Sequence, residues 1–394
     1  MPINEHVWQR NKTTLEVLTL FLFFTLYLLA GLLLTAKAGS PALADSIPYK
    51  RISTGGQAGD YQAFSDACRL RNGDIAVVFY AGYGHVSAPN EAYPKGGRIC
   101  MVRSTDEGKT WSKPVTIFDN DEDNRDPHIS QLKDGTIIVS FFSLIFPTNQ
   151  PRQGTGPWLI RSVDNGLTWT PTAQVVPVNG PWYCSAPVRE LPDESLLLPV
   201  YYMVRKDTDI KAWGGVIRSN DKGKTWGNVV PIGERANLPL AAETDFIILK
   251  NKTFLAALRA QGSVPMHYAT STDQGVTWSA VKSIGFMGHS PSFTRLRSGA
   301  IILTYRGFTN SDVRSAYTAL RISFDEGQTW QGPYRVDQTT GAYPSTVELK
   351  DGTVLVVYYE EGKNSAIRAL RFNAPPDEHG AQFPDPKPLS TLSN

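Results

Sequence analysis

An eight-residue segment, STDEGKTW, begins at Ser104 and returns as SVDNGLTW at Ser162, SNDKGKTW at Ser219, STDQGVTW at Ser271 and SFDEGQTW at Ser323. The starts are separated by 58, 57, 52 and 52 residues, and a period of this length is the signature of a repeat architecture. Each copy carries the chemistry of a tight turn. The Asp accepts bonds from backbone N–H groups just ahead of it, the Gly supplies a positive φ, and the Trp covers the turn. Ser, Asp, Gly, Thr and Trp are common to all five copies. The segment therefore predicts five equivalent turns.

A second repeat interleaves with the first. It runs LRNGDIAVVFY from Leu70, LKDGTIIVSFF from Leu132, LPDESLLLPVYY from Leu191, LKNKTFLAALR from Leu249, LRSGAIILTYR from Leu296 and LKDGTVLVVYYE from Leu349. Each joins a strand end, a polar turn and a β-branched or aromatic run, which is a hairpin signature. One further strand lies between each hairpin and its eight-residue turn, and another follows the turn. Four strands per unit predict an all-β fold, a six-bladed β-propeller of antiparallel blades. Six hairpins against five turns require the sixth blade to be closed by the other end of the chain. Ile47–Ser53 is the strand expected to pair beside Ser365–Phe372, leaving no long free edge. The propeller is expected over residues 45–373, followed by a Pro-rich tail over 374–394.

Among 394 residues, 39 Lys and Arg stand against 37 Asp and Glu. A net charge of +2 provides no field for nucleic acid. Cys68, Cys100 and Cys184 allow at most one disulfide and have no metal-ligand spacing, so buried free thiols and no metal or cofactor are expected. Arg10 and Lys12 precede an apolar run from Leu15 to Leu34, and PALA before Asp45 offers a small-x-small cleavage site. Residues 1–44 thus read as a signal peptide or, if uncleaved, a membrane anchor. Either predicts a secreted, periplasmic or cell-surface protein, with membrane contact only if the segment is kept.

In a propeller the inner strands begin near the central axis on one face. The residue six positions before each hairpin Leu is Phe64, Asp126, Ser185, Glu243, Ser290 and Tyr343. The second strands return to that face and are read as ending at Tyr80, Phe142, Tyr202, Arg259, Arg306 and Glu360. Trp158, Trp182 and Trp213 are read as loop residues, able to stack on sugars or to cap blades. His128 and His289 are read as ordinary hydrogen-bonded residues.

The eight-residue turn resembles the Asp-box of sialidases, and the likeness extends to the axis. AETDFIILKNKTFLAALR is similar to the fourth blade of that family, with a Glu (Glu243) starting an inner strand and an Arg (Arg259) ending the next. GAYPSTVELKDGTVLVVYYE is similar to the sixth, with Tyr343 at the nucleophile position and Glu360 at the end. Arg314, or Arg306, stands where the family has an Arg in the fifth blade. The resemblance implies an exo-glycoside hydrolase acting on a terminal acidic sugar of a glycan. Tyr343 would be nucleophile and Glu243 its base, with the arginines as carboxylate clamp. A neutral Tyr suits a sugar whose anomeric carbon bears a carboxylate, because a carboxylate nucleophile would meet like charge.

Two parts of the family pattern are missing. No Arg stands at Ala63, Phe64 or Ser65, where the family opens its first blade with a Phe-Arg-Ile-Pro-like motif; Arg125 and Arg51 are the alternatives. The loop after the first hairpin, AGYGHVSAPNEAYPKGG, lacks the family's acid/base Asp. Its titratable groups are Glu91 and His85, and Asp126 and Asp66 are rival acids elsewhere. Two other functions stay open, a glycan- or protein-binding propeller without catalysis, and a hydrolase or lyase for another uronic or keto-sugar acid.

Overall fold

The computed structural model describes residues 49–55, 59–206, 209–241, 243–262, 264–309, 315–338, 340–362 and 365–377. The segment 1–44, Ile47 and Pro48 of the closing strand, Arg314 and the tail from residue 378 lie outside the described residues.

After β1 (Lys50–Thr54) the strands fall into six antiparallel blades. Blade one is β2 (Tyr61–Arg69), β3 (Ile75–Gly82), β4 (Arg98–Ser104) and β5 (Val115–Phe118). Blade two is β6 (Asp123–Gln131), β7 (Ile137–Ile145), β8 (Gln153–Ser162) and β9 (Gln174–Val175). In blade three the inner strand is divided into β10 (Trp182–Cys184) and β11 (Arg189–Glu190), both pairing with β12 (Leu196–Lys206), then β13 (Asp209–Ser219) and β14 (Val229–Ile232). Blade four is β15 (Thr244–Ile248), β16 (Phe254–Leu258), β17 (His267–Ser271) and β18 (Lys282–Ser283). Blade five is β19 (His289–Arg295), β20 (Ile301–Phe308), β21 (Ala316–Ser323) and β22 (Gln331–Asp337). Blade six is β23 (Ala342–Glu348), β24 (Val354–Tyr359) and β25 (Ala366–Phe372), and β1 supplies its fourth strand. Lys50 pairs with Ala369 and Thr54 with Ala366. The closing strand is thus the one expected from the count of hairpins and turns.

The strands read as unbroken apolar runs because both faces of a blade are covered. Ile75 to Ala81 are all fully buried. The core is accordingly six apolar wedges, one between each pair of neighbouring blades. Each hairpin Leu anchors a wedge and its turn. Leu70 N–H donates to Asp74 O at 2.8 Å and Gly73 N–H to Leu70 O at 2.9 Å, and the other five hairpins repeat the geometry.

The Asp-box turns close at the opposite end of the blades from the inner-strand starts, because strands one and three of a blade run the same way. In the first, Asp106 accepts from Thr110 N–H at 2.8 Å and Thr110 Oγ1 at 2.5 Å, while Ser104 Oγ accepts from Gly108 N–H at 2.8 Å. Gly108 has φ +79° and Glu107 before it +62°, so two successive residues are left-handed and only the second can be Gly without loss of a side chain. That side chain is used. Glu107 binds Arg69 at 2.6 Å. Arginines on third strands reach across to the backbone of the next box, Arg161 to Gly223 O at 2.7 Å and Arg371 of blade six to Glu107 O of blade one. The ring is therefore closed at the rim as well as by β1. Cys68, Cys100 and Cys184 are free thiols, raised to about 12 and about 11 for the first two by burial.

Candidate active site

The inner strands do not run straight to the axis. At the first residue of interest in blades one, two, five and six the pairing slips, between Ala63 and Asp66, Arg125 and His128, His289 and Ser292, and Ala342 and Ser345. Phe64, Asp126, Ser290 and Tyr343 have φ of 54°, 52°, 52° and 45° at these slips. Each is a β-bulge that turns one side chain out of the blade and toward the axis. In three of the four the next residue is Pro, at 127, 291 and 344. Proline has no N–H to lose from the interrupted ladder, and it disfavours the right-handed helical conformation in the residue before it. Blade three reaches the same end by dividing its inner strand at Ser185. Blade four does so by starting late, with Arg259 N–H donating to Glu243 O at 2.9 Å.

The result is one axial cavity lined by Asp126, Ser185, Glu243, Ser290 and Tyr343, five of the six positions aligned from the sequence. Phe64, the sixth, packs edge-on against the Tyr343 ring at 5.1 Å. Tyr343 donates its hydroxyl to Glu243 Oε1 at 2.5 Å, and Arg259 Nη1 reaches the same oxygen at 2.5 Å. Ser290 Oγ donates to Oε2 at 2.8 Å. Arg306 lies 5.8 Å from the Tyr343 ring centroid and is steadied by Gly341 O at 2.7 Å and the Tyr359 hydroxyl at 2.8 Å. Residues 16, 47 and 100 positions from Glu243 thus meet on one carboxylate.

The electrostatics set the protons. Burial raises the Glu243 carboxyl, but Arg259, the Tyr343 and Ser290 hydroxyls and the charge of Arg306 outweigh it, and its pKa falls below the ordinary value. Burial, with the negative charges of Glu243 and Asp126, pushes the Tyr343 phenol well above its ordinary value despite Arg259. At neutral pH a protonated phenol therefore faces an ionised carboxylate. That is the resting state from which a tyrosine can be activated by proton transfer to its neighbour.

Other sequence-derived candidates lie differently. Arg125 enters the axis from blade two, but it is 5% exposed and flanked by Asp123 at 3.5 Å and Asp126 at 3.6 Å. The Phe64, Tyr80 and Phe142 rings surround it at 5.0 to 5.8 Å. Its charge is thus already matched. Asp126 is 6% exposed, and burial, with Glu243 adding and Arg125 opposing, raises its carboxyl. Glu91 is exposed on its loop and does not line the cavity.

Glu360 is turned away from the axis, where it binds Arg51 at 3.0 Å and Arg368 at 2.7 Å. Four hairpins place their axial strand end ten residues after the Leu; the same count gives Tyr359 in blade six, not Glu360, and Tyr201 in blade three, not Tyr202. A slip of one residue exchanges the two faces of a strand. Tyr201 is buried near Asp126 and Glu243, and burial followed by those charges lifts its phenol well above the ordinary value. Trp158, Trp182 and Trp213 lie within β8, β10 and β13 and not in loops. Trp213 stacks on Tyr202 at 4.1 Å, part of the packing of blade three. His289 is kept neutral by burial and by Arg259 and Arg306.

Residues 97–357 match the family model described as a BNR repeat-like domain. The sialidase of Micromonospora viridifaciens is 25% identical over 319 residues, which cover 71% of this chain and 47% of that protein. The sialidase of Vibrio cholerae is 27% identical over 188 residues, covering 39% of this chain and 23% of that protein. The chain therefore spans less than half the length of these two relatives. Among solved structures, a Dyadobacter fermentans protein of unknown function superposes with a TM-score of 0.69 at 23% identity, over 82% of this chain and 97% of the other.

Proposed function

Since this chain belongs to the BNR repeat-like domain family of the sialidase superfamily, we propose that it is an exported exo-glycoside hydrolase that removes a terminal acidic sugar from glycans. The observation that carries the proposal is the 2.5 Å contact between the Tyr343 hydroxyl and Glu243 Oε1. In this reading Tyr343 attacks the anomeric carbon and Glu243 takes its proton. The low carboxyl pKa keeps Glu243 ready as a base, and the shared Arg259 holds it in place. Arg259 and Arg306 bind the sugar carboxylate. Export rests on the charged and apolar N-terminal pattern with its small-x-small site.

One observation favours a sugar other than sialic acid. Phe64 stands at the axial position of blade one, and Arg125 is already paired with Asp123 and Asp126. The clamp is thus weighted to blades four and five, which suits a uronic or keto-sugar acid whose carboxylate approaches from that side. The test is a panel of aryl glycosides of sialic, uronic and other keto-sugar acids, with neutral hexosides as controls. Cleavage of one acidic glycoside and no neutral one is expected. Binding of a glycan with no cleavage of any member would leave a carbohydrate-binding propeller.

A further inference from the structure

A hydrolase of this kind needs a second proton-carrying group, because the leaving oxygen of an unactivated glycan must be protonated as its bond breaks. Glu91 is exposed on its loop, and Asp126 is buried beside Arg125. We infer that His85 is the acid/base, with Tyr61 and Glu361 as the residues that position it; the inference rests on the hydrolase reading above.

His85 belongs to the loop that follows β3. Its ring stands edge-on over Phe64 at 5.1 Å and 88°, and Phe64 is itself 5.1 Å from Tyr343. One aromatic ring thus separates the imidazole from the nucleophile. The Tyr61 hydroxyl lies 2.9 Å from His85 Nδ1 and donates to the Glu361 carboxylate at 2.9 Å. A hydroxyl has a single proton to give. With that proton on Glu361, the Tyr61 oxygen accepts from Nδ1–H, so in the neutral ring Nε2 carries the lone pair. Glu361 Oε2 lies 3.8 Å from Nδ1 and also accepts from Tyr359 at 3.1 Å, and Tyr359 accepts from Arg306 at 2.8 Å. Burial raises the Glu361 carboxyl, but the nearby His85 imidazole and the hydroxyls of Tyr61 and Tyr359 bring it below the ordinary value, so it is an ionised partner.

The His85 side chain is 60% exposed, so the imidazole is accessible to solvent and to a departing aglycone. The charged and titratable groups that face the ring are Tyr61 of β2, Glu361 after β24, and Asp123, Arg125 and Asp126 of β6.

The proton balance closes over two steps. In the first, the Tyr343 oxygen bonds to the anomeric carbon while its proton passes to Glu243. The bond to the aglycone breaks, and Nε2–H gives its proton to the leaving oxygen. In the second, water adds to the same carbon and gives a proton to Nε2. The phenolate leaves and recovers its proton from Glu243.

The full-length protein and its His85→Gln, Glu361→Gln and Asp126→Asn variants are assayed on two glycosides of the sugar identified by the panel. One has a 4-nitrophenyl leaving group, which needs no proton, and the other an alkyl alcohol. His85→Gln should lower turnover of the alkyl glycoside about 100-fold or more, while the nitrophenol burst stays within a few-fold. Azide, which needs no general base, should restore the second step. Glu361→Gln should keep activity and move the alkaline limb of kcat/KM for the alkyl glycoside to lower pH, a shift that a purely structural role would not produce. Equal losses on both substrates in His85→Gln, no loss on either, or the leaving-group dependence appearing in Asp126→Asn instead, overturns the assignment alone. Wild-type protein that is folded yet cleaves neither glycoside overturns the hydrolase reading, and the assignment with it.

Discussion

The rim of the propeller and its axis are built on the same repeat and use it in opposite ways. At the rim, five turns have one set of side chains with one set of bonds. Asp106 and Asp273, two of the five, each accept from a Thr N–H and a Thr hydroxyl at 2.5 to 2.9 Å. At the axis, four inner strands share one bulge with φ between 45° and 54°, yet carry Phe64, Asp126, Ser290 and Tyr343. The backbone is repeated in both places, but only the rim repeats its chemistry. Identical side chains at equivalent positions do the same mechanical work in every blade. Different side chains on an identical backbone are free to differ because the bulge is held by its neighbours, and they converge where no two need the same role. The contrast predicts that rim substitutions change stability with little effect on turnover, and that axial ones do the reverse.

The largest expected effect is at Tyr343. Replacement by Phe keeps the ring that packs on Phe64 and beneath Arg306, and Glu243 keeps Arg259 and Ser290. Turnover should fall by about three orders of magnitude or more with loss of the nucleophile, while the melting temperature moves little. A large fall in melting temperature, with turnover per folded molecule retained, would place Tyr343 with the rim and break the comparison.

Acid should expose the rim next. Hydrogen bonds from the box hydroxyls and amides lower the carboxyls of Asp164, Asp221 and Asp273 to about 2. A carboxyl whose folded pKa lies below its unfolded value stabilises the fold above the unfolded pKa, near 3.8, and loses that contribution as pH falls toward 2. Because the boxes titrate together, thermal stability should be level down to about pH 4 and then fall steeply. A melting temperature unchanged between pH 4 and 2 would mean that the boxes hold nothing together.

A single box is a smaller perturbation. Asp106→Ala removes acceptors from Thr110 N–H and Thr110 Oγ1 at a partly exposed turn, a loss of about 1–2 kcal/mol by analogy with a helix cap. Chemical denaturation should show that loss, with turnover per folded molecule unchanged. Altered turnover would show that a blade transmits strain from rim to axis.

How far all this was legible in the sequence follows from the same contrast. The boxes and hairpin turns require particular residues because their backbones do, so they announce themselves, and their count even predicts that β1 closes blade six. The meeting of Tyr343, Glu243 and Arg259 was legible because the period carries each to an equivalent place. What the period does not carry was missed. Which face of β24 meets the axis depends on a register of one residue, and nothing in the local pattern separates Tyr359, which faces it, from Glu360, which pairs with Arg51 and Arg368. The contact of His85 with Tyr61 and Glu361 joins a loop to a strand 24 residues earlier and, through Tyr61, to a carboxylate 300 residues further along the chain, with no local pattern to mark it. That Arg125 is matched by Asp123 and Asp126 is visible only once the bulge turns all three toward the same space.

The smallest expected effect separates two adjacent glutamates at the end of β24. Glu360 faces outward, where it joins Arg51 and Arg368 in the pairing of β1 with β25. Arg368 also binds Asp337 at 2.7 Å and lies over the Tyr49 ring. In Glu360→Gln the guanidinium of Arg368 therefore keeps a carboxylate partner. The Arg51 pair is half-exposed, and pairs of that kind contribute about 0–1 kcal/mol. Glu360→Gln should accordingly lower stability by less than about 1 kcal/mol. That small loss should shrink further at high salt, which screens exposed charges. Turnover and KM should stay close to wild type, since Glu360 touches neither the cavity nor the His85 group. A raised KM for an acidic glycoside, with stability unchanged, would mean that the end of β24 turns over to present Glu360 to substrate. The border between rim and axis would then run one residue further along the strand.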